Sequence, residues 1–468
     1  MKSATLPKVL HGFAGRSMLE HVLVTAGALD ANYTAVVIGH LRAAVEQHLV
    51  QTGHPVTTVV QEVQLGTGHA VRLALEALPP HPDTTVMVLP GDVPLLRSAT
   101  LLALYHAHHN SGATATLLTS VVDDPTGYGR VIREGDAVVR VVEHKDATAQ
   151  ERTIREIATG VYAFDATALR DAIRRLTNAN AQGEQYLPDV VELLARNGAA
   201  VSALTAPQHE TAGVNDRIQL AAAHRAFNTR LLEQHMREGV TVIDPASTWV
   251  DVCVRLAPDV TLLPGSDLRG RTTVADGAVI GPQTTLVDTS VGPRSTIERA
   301  VCRSSKVGAD VTIGPFAYLR PGTELADRVH IGTYVEVKAS DVGTGSKIPH
   351  LSYIGDATIG EHSNIGAATV FVNYDGVAKH HSTIGDHVRT GADNMFVAPV
   401  SVGDGAYTAA GSVINEDVPP GALAVARARQ RNVAGWVLRR RPGTPAADAA
   451  ARASESSTAP DTDGTGSP

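Results

Sequence analysis

The chain is 468 residues long, carries a net charge of -8 and is only 4% aromatic, so it can hold two or three domains whose cores are built from Val, Ile, Leu and Ala rather than large rings. No basic stripe interleaved with aromatics appears, which excludes a nucleic-acid footprint; no apolar run reaches the roughly 18 residues of a membrane span, and MKSATLPK lacks a signal peptide's apolar core. Two cysteines, Cys253 and Cys302, cannot form a disulfide framework in so long a chain, and together these exclusions point to a cytoplasmic protein.

The chain opens on PKVLH (Pro7 to His11) and a Gly-Arg-Ser-Met run leading into a helix, a loop with no strand ahead of it. From there to about residue 217, β-branched runs of strand length alternate with amphipathic stretches. The runs are Thr34–His40, Pro55–Glu62, Thr84–Asp92, Ala113–Ser120 and Ala158–Phe164; GHAVRLALEALP and SATLLALYHAHHN lie between them. The alternation predicts a mainly parallel sheet covered by helices, with ligands beyond the carboxyl ends of the strands.

Three stretches at those ends carry chemistry. QLGTGHA (Gln64–Ala70) offers backbone amides at a helix start, suited to an anion or a base edge. VLPGDVPLL (Val88–Leu96) ends a strand on Asp92, the type of hard oxygen ligand that Mg²⁺ shares with phosphates. GYGRVIREGDAVVRVVEHKDAT (Gly127–Thr148) predicts a tight turn, a hairpin and then Glu143. Alone, each is more often a plain turn or an N-cap. In this order and with PKVLH, the set resembles the nucleotidyltransferase domain of sugar-1-phosphate uridyltransferases. That is an α/β, Rossmann-like domain in which a sugar phosphate attacks the α-phosphate of UTP and pyrophosphate leaves. Such chemistry needs positioning and charge neutralisation rather than a covalent intermediate. Residues 218–239 then read as a linker helix.

From Thr273 the periodicity changes. Ile-Gly or Val-Gly pairs recur at Ile280, Val291, Val307, Ile313, Ile331, Val342, Ile354, Ile359, Ile365, Ile384 and Val402, with several intervals of 6, 12 or 18 residues. A six-residue period with one fixed aliphatic is the signature of a parallel β-helix, here over 240–438. Hexapeptide families of this type are left-handed and trimeric, which the repeat alone does not establish. Arg320, Lys338, His350, Tyr353 and Asn364 stand where the repeat expects small or aliphatic residues. Arg and Lys suit a phosphate, and a His suits the proton an ammonium nucleophile must lose before attacking a thioester. The alternative is a metal held by three of His330, His350, His362, His380, His381 and His387.

Taken together, the order of motifs from Met1 to about Trp436 resembles the bacterial bifunctional N-acetylglucosamine-1-phosphate uridyltransferase/glucosamine-1-phosphate acetyltransferase family. The resemblance implies acetyl transfer from acetyl-CoA to glucosamine-1-phosphate. Uridylyl transfer from UTP to N-acetylglucosamine-1-phosphate follows, giving UDP-N-acetylglucosamine for peptidoglycan and other envelope polymers. It places Lys8 on the nucleotide phosphates, Gln61, Gly66 and Thr67 near the uracil, and Gly129 and Glu143 on the sugar, with Pro90, Gly91 and Ala158 in the same pocket. Asp92 and Asn215 would hold Mg²⁺. Arg320, Lys338, Tyr353 and Asn364 would contact glucosamine-1-phosphate with His350 as general base, while Ala367, Asn373, Tyr374, Ala392, Ala410 and Arg427 would contact acetyl-CoA. Two positions depart from the family pattern: Ala158 stands for an Asn, and Ala392 for a Ser common among relatives. The first loses an amide contact to the sugar, on the order of 1 kcal/mol.

The resemblance also implies a buried strand and a Leu-Ala-Ala-Gly-x-Gly-Thr-Arg loop ahead of Met1. The expectation is therefore that the chain as written acetylates well and uridylylates poorly, and that an upstream segment restores the second activity. Two other functions stay open: an acetyltransferase alone, and a trimeric hexapeptide scaffold or metal-binding protein. After Trp436 the Ala-, Ser-, Thr-, Asp- and Pro-rich stretch 439–468 is expected to be disordered.

Overall fold

The computed structural model describes residues 1–3, 5–79 and 84–456. In the N-terminal unit the β-branched runs become β1 (Ala35–Ile38), β2 (Thr57–Val60), β3 (Thr85–Val88) and β4 (Ala115–Val121). They are followed by the hairpin β5 (Arg130–Glu134) and β6 (Ala137–Val142), the long β7 (Glu156–Asp165) and β8 (Val201–Thr205). The helices are α1 (Met18–Gly27), α2 (Arg42–Thr52), α3 (Thr67–Ala77), α4 (Ser98–Ser111), α5 (Ala166–Ile173) and α6 (Asp189–Arg196). Entry into α1 is fixed by Ser17, whose hydroxyl accepts from the Glu20 amide.

The sheet differs from the mainly parallel arrangement expected. β1 with β2 and β4 with β8 are parallel, but β7 runs antiparallel to β3, β4 and β5, and β5 antiparallel to β6. Parallel neighbours need a crossover, usually a helix. Strands β6 and β7 flank β5 and both run antiparallel to it, so segment 143–155 crosses over β5 with no helix beyond the 3-residue 3-10 turn at Glu151–Thr153, and places β7 beside β4. Midway along β7, Gly160 takes φ +83°, and a Cβ there would lie 2.8 Å from Pro90 Cγ. The register against β4 shifts opposite this point, between Leu117 and Thr119. The bend lets β5 pair with the first half of β7 and β3 with the second. Strands β1 and β2 form their own sheet; among the described residues, β1 and β3 each pair with one strand only.

Helix α7 (Arg217–Arg237), capped by the Asp216 carboxylate, falls where the linker was expected but packs on both units. Phe13 stacks on His21 at 4.5 Å and meets Phe227 edge-on at 5.6 Å, while His224 lies 4.6 Å from Trp249. Asn228 donates to the Thr248 carbonyl and accepts from the Val250 amide, and Val252 N donates to Ala14 O at 3.0 Å. The hairpin Gly12–Ser17, just after Lys8, is thus clamped between α7 and the first coil of the C-terminal unit. Burial lowers the His21 imidazole to about 4, so it packs there as a neutral ring.

The C-terminal unit is a three-faced prism of parallel sheets with 7, 10 and 9 strands. One coil separates hydrogen-bonded neighbours such as Val279, Thr296, Thr312 and His330. All eleven aliphatics of the Ile-Gly and Val-Gly pairs point inward and are at most 5% exposed. Buried hydroxyls stitch each coil to the next: Ser266 to Ile280 O, Ser295 to Gly308 O, Thr323 to Val337 O and Ser346 to Gly360 O. Each satisfies a polar group that burial would otherwise leave unpaired.

The expectation of disorder after 438 is corrected in part. Trp436–Arg440 forms α8 and Pro445–Ser456 forms α9. An Ala-rich run entered through Pro has high intrinsic helix propensity and needs little buried area to order. Residues 457–468 lie outside the described set. Both cysteines are free, Cys302 buried and Cys253 exposed. Among the described residues no helix is long and apolar enough to cross a membrane.

Because Ile331 is wholly buried in the prism, Ile331→Ala should cost about 2–5 kcal/mol and Ile331→Val about 1 kcal/mol, read from urea unfolding.

Candidate functional site

In the N-terminal unit one lysine gathers residues from three distant segments. Lys8 Nζ lies 2.5 Å from Asp92 Oδ2 and 2.5 Å from Asn215 Oδ1. Asp92 follows β3, and its carbonyl accepts from Val214 N at 2.9 Å, which ties the Gly213–Asp216 loop to that strand end. Tyr128 reaches the same place: burial, with the Asp92 charge adding, pushes its hydroxyl up.

The residues expected at the sugar converge on the β5–β7 seam. Gly129 O accepts from Ala158 N at 2.9 Å, and a Cβ on Gly129 would come within 3.3 Å of Glu143 Oε1. Pro90 lies against Gly160, and Gly91 faces Val9 beside Lys8. Burial raises the Glu143 carboxyl, with Asp189 and Asp146 adding to it. Asp189, at the first turn of α6, is pushed up to about 6, chiefly by burial and then by Glu192 and Asp146; burial outweighs the helix N-terminus that would favour its charge.

Gln61, Gly66 and Thr67 form a third group around the start of α3. Gln61 Nε2 lies 3.1 Å from Gly66 O and 3.0 Å from His69 Nδ1. Gly66 takes φ +105°, and a Cβ there would be 2.6 Å from Gln185 O, so this turn requires glycine. The Thr67 hydroxyl is occupied in accepting from Leu187 N. Among the described residues no hydrogen bond joins this group to the Lys8 group.

On the β-helix, Arg320 and Lys338 sit in register on adjacent coils of the ten-stranded sheet. Arg320 pairs with Glu336 at 2.9 Å and Lys338 with Asp356 at 2.9 Å. Asn373 donates to Asp356 at 2.5 Å and to the Tyr353 hydroxyl at 3.3 Å. Gly355 leaves room for this: a Cβ would lie 2.5 Å from Tyr353 Oη. Burial works to raise the Asp356 carboxyl, but the Lys338 and Asn373 hydrogen bonds outweigh it and hold it below its usual value. Lys379, from the 373–381 loop, faces the same cluster; the Lys338 ammonium holds it below its ordinary value, and Arg320 adds to the repulsion. Three cations against two carboxylates leave a surplus for an anion.

The remaining expected residues are more dispersed. His350 ends the strand Lys347–His350 on another face; it is exposed, and its carbonyl accepts from Ser352 Oγ and Ala368 N. Its imidazole has no hydrogen bond among the described residues. Asn364 lies one coil on from Lys347, and Ala367 O accepts from Asp393 N. Ala392 O accepts from Gly411 N, and Arg427 passes that glycine next to Ala410. Asn373 belongs with the cationic cluster, whereas Tyr374 is exposed and bonds within its own loop to Gly376 O. The other histidines are scattered: His330 is on Thr312, His362 stacks on His387, His380 is on Asp375 and His381 on Thr358.

A family profile described as Nucleotidyl transferase matches residues 3–253, and one described as Bacterial transferase hexapeptide (six repeats) matches 304–339. The Bifunctional protein GlmU of Streptomyces avermitilis is 54% identical over 457 residues, 97% of this chain and 95% of that one. Its Streptomyces coelicolor counterpart is 55% identical over 96% of this chain and 94% of its own length, and that of Corynebacterium aurimucosum 50% over 97% and 94%. This chain belongs to the bifunctional GlmU family. It is accordingly a glucosamine-1-phosphate acetyltransferase and N-acetylglucosamine-1-phosphate uridyltransferase, a nucleotidyltransferase unit followed by a left-handed parallel β-helix of hexapeptides. The scaffold alternative falls.

Sequence reasoning missed four groups that the GlmU fold brings to these sites: His69 on Gln61, Asp189 behind Glu143, and Asp356 and Lys379 beside Lys338. The break in hexapeptide register at 373–381 was the one signal that a polar loop folds back on the prism.

The Asp189 shift gives a pH test. Between 3.8 and about 6 the folded chain keeps a proton that the unfolded chain has released, so this carboxyl works against folding above that window. Asp189→Asn should therefore raise Tm at neutral pH and leave it unchanged well below pH 3.8, as read by thermal unfolding at both.

Proposed function

We propose that the two activities are carried by the residues named above, in two sites on separate units of the chain. What carries the proposal is the meeting of Lys8, Asp92 and Asn215 on one unit and of Arg320, Lys338 and Lys379 on the other. Each places cationic charge where a phosphorylated substrate can be held.

At the N-terminal site Lys8 draws charge from the nucleotide phosphates, and Gln61, Gly66 and Thr67 hold the uracil. Gly129, Glu143, Ala158, Pro90 and Gly91 line the sugar pocket. The carboxylate and amide oxygens of Asp92 and Asn215 already converge on one cationic centre, a donor set that fits a hard divalent cation. When bound there, Mg²⁺ supplies neutralisation of charge on the triphosphate. The phosphate of N-acetylglucosamine-1-phosphate then attacks the α-phosphorus of UTP, and pyrophosphate leaves. Ala158 offers only its backbone amide, spent on Gly129 O, so this chain binds the sugar with one side-chain contact fewer than the Asn pattern.

At the β-helix site Arg320, Lys338 and Lys379 bind the phosphate of glucosamine-1-phosphate, with Tyr353 and Asn364 on the sugar. His350 takes the proton from the substrate ammonium as its nitrogen attacks the acetyl-CoA thioester; the exposed imidazole leaves both ring nitrogens open to substrate. Ala367, Asn373, Tyr374, Ala392, Ala410 and Arg427 line the acetyl-CoA side. Phe316 stacks on Tyr334 at 5.4 Å along one prism edge, and both are exposed with Leu351. That apolar column supports a homotrimer.

His350→Ala should lower acetyl transfer about 10²–10⁴-fold without changing pyrophosphate release from UTP and N-acetylglucosamine-1-phosphate. Loss of both activities in a folded protein would overturn the two-site assignment. Acetyl transfer with no pyrophosphate release from the unmodified protein would leave the acetyltransferase reading alone. Lys379→Ala should raise KM for glucosamine-1-phosphate about tenfold, with kcat much less affected.

A further inference from the structure

We infer that His69 is a positioning residue that locks the Gln61 carboxamide in one orientation and thereby makes the nucleotide site select uridine over cytidine. The inference rests on Gln61 being the nucleobase contact.

The geometry leaves the amide little choice. One neighbour of the Gln61 side chain, Gly66 O at 3.1 Å, is a backbone carbonyl and can only accept, so the atom facing it must be Nε2. The same nitrogen lies 3.0 Å from His69 Nδ1. A primary amide has two hydrogens, and both are now spent on the protein. His69 Nδ1 therefore accepts, and the ring proton sits on Nε2. Among the described residues Oε1 has no hydrogen-bond partner, and Gln61 lines a cleft together with Gly39, Val60 and Gln64. The imidazole cannot readily swing away, because His69 is 7% exposed and belongs to the first turn of α3. That turn is itself pinned to the 185–187 segment by Gly68 N on Gln185 O and Leu187 N on the Thr67 hydroxyl.

An amide with its nitrogen spent can only accept. Uracil carries a hydrogen at N3 and can donate to Oε1. Cytosine carries a lone pair at N3 and, with its ribose and phosphates held, would set that lone pair against Oε1. A freely rotating amide could invert and offer Nε2 to cytosine; the His69 bond removes that freedom. Discrimination is thus built into the packing of α3 rather than into a residue that touches the base. A site built for one hydrogen-bond polarity rejects the opposite one strongly, since the mismatch leaves two desolvated acceptors facing each other.

The test compares kcat/KM for UTP and CTP, by pyrophosphate release with N-acetylglucosamine-1-phosphate, in the full chain and in three variants. Acetyl transfer serves as the internal control. His69→Phe and His69→Leu remove the acceptor with different shapes, and both should cut the UTP-over-CTP preference about tenfold or more. His69→Asn keeps an acceptor close to the place of Nδ1 and should stay within about threefold of the parent preference. An unchanged preference in either apolar variant, or an equal loss in His69→Asn, would overturn the inference and leave the uridylyl-transfer function standing. No pyrophosphate from either nucleotide with the unmodified protein, or an unaffected KM for UTP in Gln61→Ala, would remove the nucleobase reading and the inference with it.

Discussion

Coil stacking inside the prism is the constraint on which the C-terminal half depends. Each coil must deliver an aliphatic to the axis and a hydroxyl to the next coil's carbonyl, and neighbouring parallel strands then lie about 4.8 Å apart. Side chains at equivalent positions of successive coils inherit that spacing. Arg320 and Lys338 stand one coil apart in register, Gly355 continues their column, and Asp356, one position on, reaches back to Lys338 and is bonded by Asn373. A phosphate is small enough to touch cations on two such coils at once. The proposed binding surface is thus a by-product of the repeat, with the Lys379 loop added where the repeat is broken.

The N-terminal unit solves the opposite problem. It has no repeat, so its site is assembled from segments far apart in sequence: Lys8 meets Asp92 across 84 positions and Asn215 across 207. The long strand β7 is the ruler for the proposed sugar end. Its bend at Gly160 brings Pro90 against one half while Gly129 is hydrogen-bonded to the other. Backbone geometry sets the pocket walls, and charged side chains fill a frame already fixed.

The two halves were unequally legible. The aliphatic period could be read because every inward position demands the same residue type, and all eleven expected positions are buried. Strands β1–β4 followed from their β-branched runs. The direction of β7 did not, because composition says nothing about which way a strand runs; it is set by which strands β7 pairs with, and β3, β4 and β5 all run opposite to it. Asp356 and Lys379 escaped notice for a different reason. An isolated lysine in a polar loop looks solvated until that loop folds back, which here takes a hydrogen bond from His380 N to Asn373 O and a bridge between Tyr374 and Lys379. The helix α9 was missed because burial was weighed and propensity was not. His69 sits in a motif that was recognised, but its role depends on counting amide hydrogens, which needs coordinates.

The junction between the halves has a consequence of its own. The hairpin Gly12–Ser17 begins four residues after Lys8 and is gripped by α7 and by the amide of Val252 in the first coil. The lysine that gathers Asp92 and Asn215 is therefore anchored partly in the other unit's scaffold. Anyone excising the nucleotidyltransferase as a stand-alone catalyst would have to carry α7 and that first coil along. The boundary between the two activities does not coincide with a boundary in the architecture.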